Sequence, residues 1–421
     1  MTECSTSVDA VITARKLWLS AKSQSDLDEV ERLYRLALSS KNISTEQQED
    51  DGSKDDDEPK KKKIRTSSSG HCGLNRQQFQ QAGEKLALLL CQSGRCKKAR
   101  KGLESMGYIC RLSKQVLDYP NEHDDSEDSS TTDATLTKQR SSICQIVDGF
   151  LSEQELKRLR TVFESPNASY WVDHNYAVEP PSPYFSWVIS LKDISEYGFI
   201  GHLIQKILRC PLVNEKYPHL QSKANYVELW AHNRPHASGH QMHFDSDDEG
   251  RGGVRNPLIS TILYITEQDA TTSEKYEPVG GPSLVTNQKL TDIRLATKGW
   301  MAHPKPQRLV TFDGRYLHGV VPGNGVQTGR RVTLMVAFWE DIKIRQGEGP
   351  GSARPFPRHD NDMPEWARQL ATPLEEKNSN DYRGCKETDP IKLDCIYETL
   401  DGKKWKRGSG IPNYDEVFQG F

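Results

Sequence analysis

The chain has 421 residues, a formal net charge of −3 and only 35% hydrophobic residues. At roughly 100–200 residues per domain this implies two or three folded units, with part of the chain outside any packed core. The small net charge excludes a global electrostatic case for nucleic acid or membrane binding, and no stretch approaches the roughly 20 apolar residues of a membrane helix.

Nine cysteines are present and none forms a Cys-x-x-Cys pair, which argues against structural zinc. An odd, scattered set fits a reducing compartment. The first residues carry Glu3 and Asp9 and lack the apolar run of a signal peptide. The expectation is a soluble intracellular protein.

In chain order, residues 1–44 read as a helical segment, with Leu17, Trp18, Ala21, Val30, Leu33, Tyr34 and Ala37 at spacings near three and four over 9–40. Residues 45–75 read as a disordered charged insertion, an acidic block followed by a basic one. Within it, PKKKKIR at 59–65 resembles a nuclear localisation signal and equally fits a solvated charge run. Residues 76–117 read as a helical hairpin. Leu86, Leu89 and Leu90 form one stripe that Gly94 breaks; Ala99, Leu103 and Met106 lie on a second helix expected to continue past Gly107. The outline is similar to a tetratricopeptide-like pair, but one copy does not make a solenoid. A scaffold that packs on the next domain, or presents a protein partner, is the reading adopted. Residues 118–142 read as an acidic linker.

A domain begins near 143 and runs to 341. Cys144, Ile146 and Val147 suit a short strand; Ser152 and Glu155 form a capping box for a helix. Strand-like runs follow at 187–191, 226–231, 259–266, 308–312 and 332–339. Many strands with few helices between them predict an antiparallel double-layered barrel. Residues 342–421 read as a carboxy-terminal extension that wraps the domain or frays.

The chemistry centres on His243-Phe244-Asp245. On a strand, residues two apart share a face, so one imidazole and one carboxylate can meet a single ion while Phe244 points away. His318, after the strand-like RLVTFDG, supplies a third ligand. Two histidines and one carboxylate leave three positions open, the ligand set of non-haem iron(II) oxygenases. His123-Asp124-Asp125 has the same pattern in the acidic linker, where no strand would orient it. His232, His236 and His240 read as structural; His240 is three residues from His243 and is expected to face away. Trp300 and His303 are placed in a loop. Asn167-Ala168-Ser169 fits a glycosylation sequon that an intracellular chain would not use.

Arg331 opens the apolar run VTLMVAFW. A guanidinium entering a buried strand needs a partner, and a dicarboxylate matches its fork in two hydrogen bonds. Arg330 is expected to face outward, and Thr333 to share the face of Arg331.

Residues 143–341, about half of the chain, resemble the prolyl 4-hydroxylase-like branch of the iron(II)/2-oxoglutarate dioxygenase superfamily. VDGFLSEQEL is similar to the family's opening strand and helix, and HFD to its first two ligands. Gly280-Gly281 is similar to its glycine pair at the start of a core strand, RLVTFDGRYLHGV to its third-ligand strand, and Gly-x-Arg ending at Arg331 to its cosubstrate arginine. The resemblance implies an α+β protein whose catalytic domain is a distorted double-stranded β-helix (jelly-roll or cupin-like) beside an amino-terminal helical region. It implies Fe2+ held by His243, Asp245 and His318, with 2-oxoglutarate contacted by Arg331, Tyr264 and Thr333. Ascorbate is an auxiliary cofactor in this reading. It implies oxidative decarboxylation of 2-oxoglutarate to succinate and carbon dioxide, coupled to hydroxylation of a protein side chain, prolyl or other. Collagen-type relatives often use lysine where this chain has Arg331, and some relatives have tryptophan where it has Ala337. Both departures reshape the expected pocket. SDDEGRGGVRNP, after Asp245, fits a lid or a solvated turn. The alternatives are an oxidative nucleic-acid demethylase, which the acidic run from Asp245 to Glu249 disfavours, and a non-catalytic barrel serving as an interaction module.

Overall fold

A computed structural model describes residues 6–39, 74–120, 143–178, 184–247, 253–266, 278–346, 352–358, 362–374, 382–400 and 416–420. The charged insertion, PKKKKIR, the His123-Asp124 pair and part of SDDEGRGGVRNP lie outside them. Among the described residues no helix is long and apolar enough to cross a membrane.

The helical beginning comprises α1 (Ser7–Leu19), α2 (Gln24–Ser39), α3 (Arg76–Gln92) and α4 (Cys96–Ser105), followed by β1 (Cys110–Leu112) and α5 (Lys114–Leu117). The periodicity over 9–40 is split. Ser20 caps the end of α1, and the Asp26 carboxylate accepts from the Lys22 and Ser23 amides at 2.7 and 3.0 Å, starting a new helix. The helix expected to run past Gly107 stops at Ser105, because Gly107 takes φ +94°, where a helix cannot continue.

Next come β2 (Cys144–Asp148), α6 (Glu153–Phe163), α7 (Ser169–Asp173), β3 (Trp187–Ser190), a 3₁₀ turn (Leu191–Tyr197), α8 (Gly198–Arg209), α9 (Pro211–Lys216) and α10 (Leu220–Lys223). The Ser152–Glu155 capping box starts α6, with both reciprocal bonds made. The strands that follow are β4 (Tyr226–Pro235), β5 (His240–His243), β6 (Ile259–Tyr264), β7 (Ser283–Lys289), β8 (Gly299–Ala302), β9 (Leu309–Phe312), β10 (Tyr316–Val320) and β11 (Arg330–Trp339). The tail adds β12 (Arg354–Pro355), α11 (Glu365–Ala371), β13 (Lys386–Thr388), β14 (Ile391–Leu393), β15 (Tyr397–Thr399) and β16 (Val417–Phe418).

The protein is α+β, with two large sheets. One has the order β12-β3-β4-β11-β6-β9-β2-β13, the other β14-β8-β7-β10-β5. Tail strands β12, β13 and β14 pair along the outer strands of these sheets, covering edges that would otherwise invite pairing with other chains. A third, small sheet, β15-β1-β16, ties the helical beginning to the tail. Trp300, expected in a loop, lies in β8. His303 follows that strand and its Nε2 lies 3.0 Å from the Pro120 carbonyl.

Strand alternation sorts the side chains into layers. On β11, Met335, Ala337 and Trp339 point into the space between the two sheets, where they meet Trp230, Tyr264, Val285 and Trp300. Val332, Leu334, Val336 and Phe338 point the other way, onto α6, α8 and α11. The outer face of the smaller sheet, with Met242, Leu284, Met301 and Leu317, packs on the amino-terminal helices. The two sheets are thus clamped between two helical layers. A buried ion pair, Arg308 to Asp148 at 2.6 and 3.0 Å, braces the end of β9 against β2.

Candidate metal centre

Two ligand strands run side by side: β10 pairs with β5 so that His318 lies directly opposite His243. At the end of β5 and just past it, Met242 and Phe244 pack toward the helical layer, while His243 and Asp245 turn inward. Asp245 Oδ1 is the common vertex, 3.5 Å from His243 Nε2 and 3.4 Å from His318 Nε2. All three ligand atoms lie within 4.8 Å of one another.

Both rings are oriented by their other nitrogen. His243 Nδ1 lies 2.8 Å from the Gln241 carbonyl and His318 Nδ1 2.9 Å from that of Tyr316, which turns each Nε2 toward the carboxylate. The Ser260 hydroxyl donates to Asp245 Oδ2 at 2.6 Å, leaving Oδ1 for the histidines. Burial works against charge on Asp245, but the His318 and His243 imidazoles override it and hold its carboxyl well below the usual carboxylate range. Burial likewise opposes protonation of His318, and the Asp245 charge overrides it and raises the imidazole. His243 is 31% exposed at its side chain and His318 6%, so the centre opens on the His243 side.

These donors fit a metal ion. Among the described residues, His318 Nε2 is buried with no hydrogen-bond partner, and it points at an ionised carboxylate. Neighbouring ligands on an octahedral ion with bonds of about 2.1 Å are about 3 Å apart, slightly closer than the separations here.

A buried arginine lies on β11. Arg331 is 2% exposed and its guanidinium sits 5.4 Å over the Tyr264 ring. Its Nη2 reaches Ser283 Oγ at 3.2 Å, but Nε has no partner among the described residues, nor does the buried Thr333 hydroxyl. Tyr264 is fully buried and its hydroxyl shares a 2.8 Å bond with Ser283. Gly280, at φ +87°, lies against the arginine stem: a Cβ there would come within 2.6 Å of Arg331 Cβ. One at Gly281 would strike the Val321 carbonyl at 1.8 Å. The glycine pair therefore makes room for the Arg331 side chain and for the start of β7. Arg330 takes the other face, where its Nη2 donates to the Asn233 carbonyl at 2.7 Å.

His240 does not face away as expected. The pairing of β5 with β10 shifts register between His240 and His243, a bulge that returns His240 to the inner side, its ring 4.6 Å from that of His243. His232 continues the row, 5.2 Å from His240. Burial, reinforced by neighbouring positive groups, pushes both imidazoles well below the ordinary histidine value, so they are neutral. His236 is structural, accepting from the Gly280 amide at 2.9 Å.

Sequence reasoning passed over Ser260, Glu228 and Arg234. Strand parity could have found them. Ser260 is four residues before Tyr264 on the same face, and in YVELWAHNRP the residues Glu228, Trp230 and His232 alternate with Val227, Leu229 and Ala231, which puts Arg234 on their face as well. Glu228 is buried opposite Ala337 and accepts from Ser186 at 2.5 Å; burial, aided by the charges of Asp245 and Asp247, pushes its carboxyl up to about 7.

No family profile and no curated protein matches the chain. Among solved structures it is similar to a prolyl-4-hydroxylase from Pseudomonas putida at 19% identity and TM-score 0.20, over 30% of this chain and 57% of that one. It is similar to a prolyl hydroxylase from Trichoplax adhaerens, in complex with a hypoxia inducible factor peptide fragment, at 13% identity and TM-score 0.25, over 48% and 84%. It is similar to HygX from Streptomyces hygroscopicus with nickel and 2-oxoglutarate bound, at 10% identity and TM-score 0.28, over 49% and 91%. The chain thus spans little more than half the length of the first of these, and overlaps this loose carry no argument for its activity.

Proposed function

We propose that the chain is an iron(II)- and 2-oxoglutarate-dependent dioxygenase that hydroxylates a protein side chain, prolyl or other. In this reading the two facing sheets form a distorted double-stranded β-helix. The observation that carries it is the meeting of His243, Asp245 and His318 at one point, with an incompletely partnered buried guanidinium on the same inner face.

Iron(II), when bound, supplies the redox chemistry that couples 2-oxoglutarate decarboxylation to hydroxylation. His243, Asp245 and His318 would hold it through three positions and leave three for cosubstrate and dioxygen. Ser260 keeps one carboxylate oxygen of Asp245 occupied, so the other would be free to hold the metal. Arg331 Nε and the Thr333 hydroxyl are two buried donors on one strand face, suited to the far carboxylate of the cosubstrate. Tyr264 floors that pocket beneath the guanidinium. The surrounding apolar core excludes water from the anchor.

The test is an anaerobic titration of the iron(II)-loaded protein with 2-oxoglutarate. A weak visible charge-transfer band is expected in the native protein and its loss in His243→Ala. No band in the native protein would overturn the reading and favour a non-catalytic barrel.

A further inference from the structure

A cavity of about 740 Å³ lies between the amino-terminal helices and the mouth formed by β4 and β5. Its barrel side carries Trp230, His232, Arg234 and His240; its helical side carries Arg15, Glu84 and Lys85. Tyr184 and Phe185 stand at one rim, with the Tyr184 ring 6.4 Å from that of Trp230. The row of rings from His232 through His240 to His243 connects the cavity with the candidate metal centre.

Two polar atoms in this cavity are buried without a hydrogen-bond partner among the described residues: His232 Nδ1 and Arg234 Nε. Arg234 uses Nη1 on the Gly239 carbonyl at 3.1 Å, which fixes the guanidinium and leaves Nε uncommitted. It lies opposite Arg331 across the strand pair, so the two arginines share one sheet face, Arg331 buried and Arg234 half-buried at the cavity. If Arg331 takes the cosubstrate carboxylate, the half-buried Arg234, with its shielded and unpartnered Nε facing the cavity, is placed to take a second anion.

We propose that this cavity is the substrate cleft and that Arg234 is its specificity-determining residue, selecting polypeptide segments with a carboxylate side chain beside the oxidised residue. The proposal rests on the dioxygenase reading. Aromatic rings at the rim suit a chain of alternating apolar and polar groups, and arginine matches a carboxylate in two hydrogen bonds. A nucleic-acid strand would call for a basic groove tracking successive phosphates; here Glu84 interrupts the basic side chains. The helical layer is on this view one wall of the cleft.

The experiment uses the full chain loaded with manganese(II) and 2-oxoglutarate without oxygen, and dye-labelled decapeptides containing one proline flanked by glutamates, glutamines or lysines. Anisotropy should show the glutamate peptide binding about tenfold tighter than the glutamine one. Arg234→Gln should reduce that preference to below about twofold, and Arg234→Lys should retain part of it. The charge-transfer band of the iron(II) complex, measured on the same variants, should persist. Equal binding of all peptides, or a preference that survives Arg234→Gln, overturns the proposal. So does free glutamate competing as well as the peptide, which would make this a small-molecule site, or displacement of the peptide by a decameric single-stranded RNA. A native protein that shows the band but no acidic preference loses only this proposal; one with no band loses the dioxygenase reading.

Discussion

At the residue scale, position on a strand face matters more than residue type. Arg330 and Arg331 are adjacent and chemically identical, yet one bonds Asn233 on the outer face and the other lies 2% exposed against Tyr264. Arg331→Ala is expected to raise the 2-oxoglutarate concentration for half-maximal turnover by about 100-fold, the order of a lost charge-assisted pair. Arg330→Ala should change it less than about threefold, the size of a remote surface effect. Succinate release against cosubstrate concentration decides this, and the reverse ranking would move the anchor to Arg330.

Glu228 offers a second residue-scale test. Burial pushes its carboxyl up to about 7, above the usual carboxylate range. Because the folded state holds the proton more tightly than the unfolded one, stability is lost as pH rises from the lower value to the higher. Glu228→Gln removes that cost. In chelator-treated protein the variant should match the native Tm at pH 4.5 and exceed it at pH 8, by up to about 3 kcal/mol of stability. A gap that does not widen with pH would show that Glu228 is not buried as described.

At the scale of elements, the candidate metal centre depends on how closely β5 and β10 approach. Gly319 follows His318, and a Cβ there would meet the His240 carbonyl and Met242 Sδ, both at 2.8 Å. Gly319→Ala should therefore push the His243 strand outward while the fold persists. Iron(II) affinity is expected to fall by about tenfold or more, the effect seen when support for a ligand is disturbed. The charge-transfer titration measures it, and native affinity in the variant would show that β5 tolerates the shift. The bulge in β5 works at the same scale. It places His240 beside His243, against simple alternation, and sequence spacing carries no mark of it.

At the scale of the molecule, the amino-terminal helices cover the outer face of the smaller sheet, including Met242, Leu317 and Val321. Each such side chain contributes roughly 1.5–3 kcal/mol through burial. Deleting residues 1–119 should expose a contiguous apolar face, so the remainder is expected to bind a hydrophobic dye or aggregate. A monomeric, dye-free remainder with a cooperative thermal transition would show that the helices are dispensable. The tail points the same way: β1, just after the amino-terminal helices, lies between β15 and β16, so the helical region and the tail close one small sheet.

Much of this was readable in the linear chain. Strand-like apolar runs set off by turn residues marked the long strands, the capping box marked the start of α6, and the spacing of His243 and Asp245 placed both on one face. These are local consequences of backbone geometry, settled within a few residues. The meeting of His318 with that pair, the inward turn of His240 and the cavity around Arg234 were decided by strand pairing and by the packing of two helical layers. Those depend on contacts between residues tens to hundreds of positions apart, and burial and partnering acquire their energies only once those contacts form.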